Sequence, residues 1–145
     1  MLFTWNITVQ AGTPDTSPKV EKLDLLIGLI KEIRIRFLAG CHGTVKVRLI
    51  NSGAVIMPSG TNQYVIGDDE EITADMNYAL VAGSQFLNFE ASSPNATYDH
   101  TIAIRINILT TIDTEDIVKL LKQITTALDV GIEKQQPEEP EAGVI

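Results

Sequence analysis

Residues 101–109 read TIAIRINIL. Ile102, Ile104, Ile106 and Ile108 take every second position, with Ala103, Arg105 and Asn107 between them. A helix turns by about 100° per residue and would scatter these isoleucines around its surface, whereas a strand puts all four on one face. Branching at Cβ adds to the preference, because a stiff side chain suits a pleated surface. The segment is therefore a strand with one apolar and one polar face. It requires a second apolar layer to pack against.

Other segments repeat the pattern. In LFTWNITVQ, Phe3, Trp5, Ile7 and Val9 alternate with Thr4, Asn6 and Thr8. KVEKLDLLIGLIKEIRIRFL is ambiguous at its centre, Leu25 to Ile30, but its end sets Ile33, Ile35 and Phe37 against Arg34 and Arg36. Gly28 in that run favours a bend or bulge between two strand segments over a helix. TVKVRLI turns Val45, Val47 and Leu49 inward, AVIMP is a short strand stopped by Pro58, and SGTN turns into QYVI. SQFLNFEA contributes Phe86 or Leu87 together with Phe89. AGTPDTSP, AGCHG, NSG and SSPNATYDH are rich in turn formers and separate these runs. About eight short antiparallel strands over residues 1–112 fit a sandwich or a barrel. Aromatics make up only 6% of a chain that is 44% hydrophobic, so its core is built from Ile, Leu and Val.

The period changes after residue 112. DTEDIVKLLKQITTALDVG spaces Ile117, Leu120, Leu121, Ile124, Ala127 and Leu128 as one helical stripe. Asp113 or Thr114 suits the N-cap, Glu115 and Asp116 suit the positive end of the dipole, and Gly131 suits C′. Residues 113–131 thus read as one amphipathic helix. Residues 132–145, IEKQQPEEPEAGVI, read as an extended acidic tail that cannot build a core. The stripe needs a partner surface, either the chain's own sandwich or the same helix in sister subunits. The tail carries apolar Val144 and Ile145 and at full extension reaches about 40 Å, far enough to touch a neighbouring subunit. We expect a homo-oligomer, a trimer by preference, with Ile117, Leu120, Leu121, Ile124, Leu128, Val144 and Ile145 at its interfaces.

A net charge of −8 and a pI near 4.6 oppose general binding to nucleic acid or anionic lipid. Lys31, Arg34, Arg36, Lys46, Arg48 and Arg105 all fall in the strand region and read as solvated faces. Cys41 is the only cysteine, which rules out an intrachain disulfide and suits a reducing cytosol. The N-terminal MLFTWNITVQ is polar at alternate positions and does not read as a signal peptide. No apolar run is long enough to span a membrane as a helix. Asn6-Ile7-Thr8 and Asn95-Ala96-Thr97 match the glycosylation acceptor pattern by chance in that setting.

The residues that carry chemistry are few. VIGDDEEI places Asp68, Asp69, Glu70 and Glu71 in succession. Adjacent residues on an extended chain face opposite ways, so the four do not converge on one ion, and the spacing is not that of an EF-hand. We read a solvated Gly-Asp-Asp turn that leads into a strand. Asp68 and Asp69 stay as candidate calcium ligands only if another loop supplies more oxygens. Cys41-His42 has His100 as its sole possible histidine partner, too few ligands for zinc, so Cys41 reads as a small apolar residue beside a turn. Asp99 and His100 are neighbours that point apart, and no nucleophile elbow brackets a serine. There is no phosphate loop and no dinucleotide fingerprint. We expect no enzyme and no cofactor.

The succession IRIRFLAGCHGTVKVRLINSGAVIMPSG, VIGDDEEI and NFEASSPNATYDHTIAIRINIL resembles small structural proteins encoded by tailed phages and related viruses. The shared features are a Gly-rich turn after a strand, a strand ending near proline, a GDDE turn, and His-Thr opening the last strand. The resemblance implies a jelly-roll-like sandwich that serves as a capsid decoration or accessory protein. Its partners would be its own copies and the major capsid protein or another virion protein, and its location the virion after synthesis in the host cytoplasm. The alternative is a lectin-like carbohydrate-binding module. Trp5, Tyr64, Tyr78 and Tyr98 are its only candidates to stack on sugar rings.

Overall fold

The computed structural model describes residues 1–60, 62–110 and 118–128. Eight strands run in chain order: β1 Leu2–Val9, β2 Lys19–Asp24, β3 Gly28–Phe37, β4 Lys46–Asn51, β5 Ala54–Met57, β6 Glu70–Leu80, β7 Phe86–Ser92 and β8 His100–Thr110. They form two four-stranded sheets, ordered β1-β8-β3-β6 and β2-β7-β4-β5. All pairs are antiparallel. The pairs β1·β8, β2·β7, β3·β6 and β4·β5 nest inside one another, as in a long hairpin folded at the β4–β5 turn. Wrapping that hairpin brings β8 beside β3 and β7 beside β4. This is the jelly-roll sandwich.

The alternation in residues 101–109 does what it predicts. Ile102, Ile104 and Ile106 are fully buried and Ile108 nearly so, while Arg105 and Asn107 are exposed. Ile33, Ile35 and Phe37 on β3, and Val47 and Leu49 on β4, fill the same core, with Val45 just before β4; Leu87 and Phe89 are the inward pair on β7. One local reading shifts. QYVI forms no strand and gives only an isolated bridge, Val47 to Val65. Strand β6 starts at Glu70, directly after the Gly-Asp-Asp turn, as the sequence implies.

Gly28 opens β3 because nothing larger fits there. A Cβ at this position would lie 2.3 Å from the Leu109 carbonyl oxygen and 2.9 Å from Thr110 Cα. The bulge itself falls a little later, between Ile30 and Glu32.

The antiparallel order sends the connections 10–18, 38–45, 58–69 and 93–99 to one end of the sandwich and 25–27, 52–53 and 81–85 to the other. Residues Met1–Thr110 make one compact unit, and the chain from Thr111 makes a second. In the second unit residues 118–128 form a helix, α1. Its Leu120, Leu121, Ile124 and Leu128 are 46–61% exposed. The flanks read as helix or caps (113–117 and 129–131), Ile117, and the tail 132–145 with Val144 and Ile145 lie outside the described residues.

Candidate functional site

The chemistry-bearing residues gather at the end of the sandwich that carries the four longer connections. There the AGCHG turn (39–43) meets the acidic turn after Gly67. Positive φ at Gly40, His42 and Gly43 curls the first turn so that its amides face one side, a nest that suits an anion. Asp68 supplies that anion. Its Oδ1 accepts the Gly40 N–H at 2.9 Å and its Oδ2 lies 3.2 Å from His42 Nδ1. The Gly43 N–H donates to Gly67 O at 3.3 Å, and the Asp69 N–H to Leu38 O at 3.4 Å. The two turns are stitched together.

The other three carboxylates go elsewhere. Asp69 pairs with Arg36 at 3.3 Å, Glu71 with Arg34 at 3.9 Å, and Glu70 accepts the Asp68 N–H at 3.3 Å. Asp68 and Asp69, the calcium candidates, are thus directed at separate protein partners. No group of three or more His, Cys, Asp or Glu placed to hold a metal occurs among the described residues. The sequence reading treated the four acids alike as solvated. The structure singles out Asp68 as the guest of a backbone nest.

Cys41 is fully buried beneath this corner. Burial pushes its thiol pKa up, and the Asp68 charge adds to the effect. A thiol held neutral is a poor nucleophile and a poor metal ligand. Asp99 and His100 do not act together: Asp99 Oδ1 accepts the Ala11 N–H at 2.8 Å, while His100 opens β8 opposite Val9.

Sequence reasoning missed a second set of ties at this end. Ser92 Oγ donates to Asp15 Oδ1 at 2.5 Å, and Lys46 Nζ lies 3.3 Å from Asp15 Oδ2. Ser93, fully buried, donates its hydroxyl to Gln10 O at 2.7 Å and its N–H to Thr13 O at 2.9 Å. In sequence Asp15, Ser92 and Ser93 are ordinary turn formers, and no local signal separates them from their neighbours.

The six basic residues divide between the two sheets. Arg34 and Arg36 face the acids named above, and Arg34 also binds Glu32 at 2.6 Å. Lys31 hydrogen-bonds Asn77. Arg105 sits exposed on β8 opposite Arg34. On the other sheet Arg48 holds Glu90 at 2.6 Å. The aromatics are equally divided. Trp5 stacks on Phe3 along β1, with centroids 6.0 Å apart. The Tyr64 ring lies under Arg48 and Lys46, at 5.0 and 5.8 Å. Tyr78 donates to Asn51, and Tyr98 is 74% exposed in the 93–99 connection.

The arrangement implies an acid limb in stability. The Asp68 pKa is lowered from 3.8, first by the His42 backbone N–H; burial opposes this, and the Gly40 amide and the His42 charge add to the lowering. The Asp15 pKa is lowered from 3.8 chiefly by the Ser92 hydroxyl, with Lys46 adding to it. A depressed carboxylate stabilises the fold above its unfolded value, and that contribution is lost as pH falls through the folded value. The melting temperature should therefore change little on this account down to about pH 5 and fall below about pH 4. Asp68→Asn and Asp15→Asn should each flatten that fall. Acid limbs parallel to the parent's in both variants would refute the assignment.

No protein-family model matches the chain, and no curated protein matches it. Among solved structures, FLHE aligns with a TM-score of 0.37 and 15% identity, covering 74% of this chain and 96% of its own. That likeness is too slight to carry an argument about function.

Proposed function

We propose that this chain is a non-enzymatic virion structural protein, a capsid decoration or accessory protein that works as a homo-oligomer on a particle. The observation that carries the reading is the nested eight-strand order, because jelly rolls are a recurrent architecture of viral capsid domains. That support is by analogy of fold. It agrees with the resemblance of residues 33–109 to phage structural proteins.

Two further features fit a building block. The polar clusters at the loop end hold loops to one another, which stiffens a surface that must match a lattice. The apolar stripe of α1 is exposed, and a helix this short is marginal in water without a partner. Sister helices about a symmetry axis would cover it, with three copies as the expected state.

The test is protein mass spectrometry on density-purified particles from the source sample, together with light scattering of the purified chain. The reading expects the protein at a fixed stoichiometry to the major capsid protein, and a trimer that is lost on deleting residues 113–145. Absence from the particles, or a monomer at all concentrations, overturns it. Saturable binding on a glycan array would instead favour the lectin-like alternative, for which exposed Tyr98 is the available stacking surface.

A further inference from the structure

Strands β5 and β6 follow one another in sequence but lie at the edges of opposite sheets. Between them runs an open groove of about 610 Å³. Val55 and Met57 line it from β5, and Ile72, Ala74, Met76 and Tyr78 from β6. These four β6 residues alternate as inner-face positions, yet each is only half-buried. The inner positions of β8 are fully covered by comparison. The reason is length: β5 has 4 residues and β6 has 11, so the opposite sheet stops before it covers the β6 apolar face.

The backbone is open there as well. Among the described residues β6 pairs only with β3 and β5 only with β4. The outer row of N–H and C=O groups on each strand therefore borders the groove. An occupant must satisfy an apolar face and a peptide edge together, and an extended strand does both.

We propose that the β5–β6 groove is a strand-acceptor site. It takes an extended segment of a partner protein whose alternate residues are apolar and whose intervening residues are basic. The apolar set covers Ile72, Ala74, Met76 and Tyr78. The basic set faces the carboxylates on the other face of β6, where Glu71 and Asp75 are both exposed. Opposite charges across a strand pair are favourable and like charges are not. The same acids oppose pairing of this edge with a second copy of itself. The proposal does not depend on the virion reading.

The probe is a ten-residue peptide alternating lysine and valine. Controls are the glutamate–valine peptide and the lysine–valine peptide with a central proline pair. Fluorescence anisotropy reads affinity, and amide hydrogen exchange by NMR reads position. The expected result is added protection at every second amide of β6, with both controls at least about tenfold weaker. Ala74→Lys, which fills the groove, should abolish the binding while β3 and β8 amides keep their protection. Asp75→Lys should shift the preference towards the glutamate–valine peptide. No new protection on β6 at about 1 mM peptide, or equal binding by the Ala74→Lys protein, overturns the proposal.

Discussion

Phe37→Ala is expected to lower the stability of the sandwich by about 3–5 kcal/mol, read as a lower urea midpoint at unchanged slope. A domain of this kind has about 5–15 kcal/mol in total, so the loss removes a large share. Phe37 is one of the two fully buried phenylalanines in a core otherwise made of smaller side chains. It closes β3, paired in register with Ile102 on one side and Glu70 on the other. Its ring also fills the space beside Gly67, where a Cβ would lie 2.9 Å from Phe37 Cδ2. Truncation leaves a cavity at the point where the core meets the Asp68 corner, and the sheet on either side has little freedom to close it. Ile72→Ala is the contrast: half-buried on an edge strand, it should cost about 1–2 kcal/mol. A Phe37→Ala loss no larger than the Ile72→Ala loss would show that the core does not centre there.

What the sequence made legible follows from range. The strand period is local, so Ile102 to Ile108 and Ile33 to Phe37 could be oriented from neighbouring residues alone. The break at Gly28 was also visible, and the chain does bend just before it, but the reason that only glycine fits there was not. The cause is the backbone of Leu109 and Thr110, some 80 residues later, which no local pattern encodes. The candidate site fared worse for the same reason. Asp68 answers to the turn at 40–42, Asp15 to Ser92, and Asp99 to Ala11, and each tie joins segments far apart in the chain. Asp and Ser favour turns whether or not they latch onto another loop, so composition marked the places and left the partners unread. QYVI shows the reverse error, because an apolar run looks like a strand when its actual role is to cover the mouth of β4 by a single bridge.

Asn51→Leu should cost about 2–4 kcal/mol, nearly as much as the loss of a core aromatic, although the strand end and turn around it look unremarkable in sequence. Asn51 is buried at 6% exposure. Its amide donates to Ser84 O at 2.9 Å and to Phe86 O at 2.8 Å, and its Oδ1 accepts the Tyr78 hydroxyl at 2.9 Å. One side chain thereby ties the end of β4 to the 81–85 connection and to edge strand β6. Leucine has a similar size and no polar atom, so the substitution leaves two carbonyls and a hydroxyl short of a partner without opening a large cavity. Tyr78→Phe removes only one member of the set and should cost about 1 kcal/mol. The two changes share a bond, so they should not add. Once Asn51 is leucine, removing the Tyr78 hydroxyl should cost close to nothing, which gives a coupling of about 1 kcal/mol in a double-mutant cycle. Simple additivity would mean that the hydroxyl is satisfied elsewhere. The same cycle bears on the groove, because Tyr78 is part of its wall and Asn51 is what anchors that ring. In the Asn51→Leu protein, amide exchange should rise first along the C-terminal half of β6 and through residues 84–86, while the β3–β8 ladder keeps its protection.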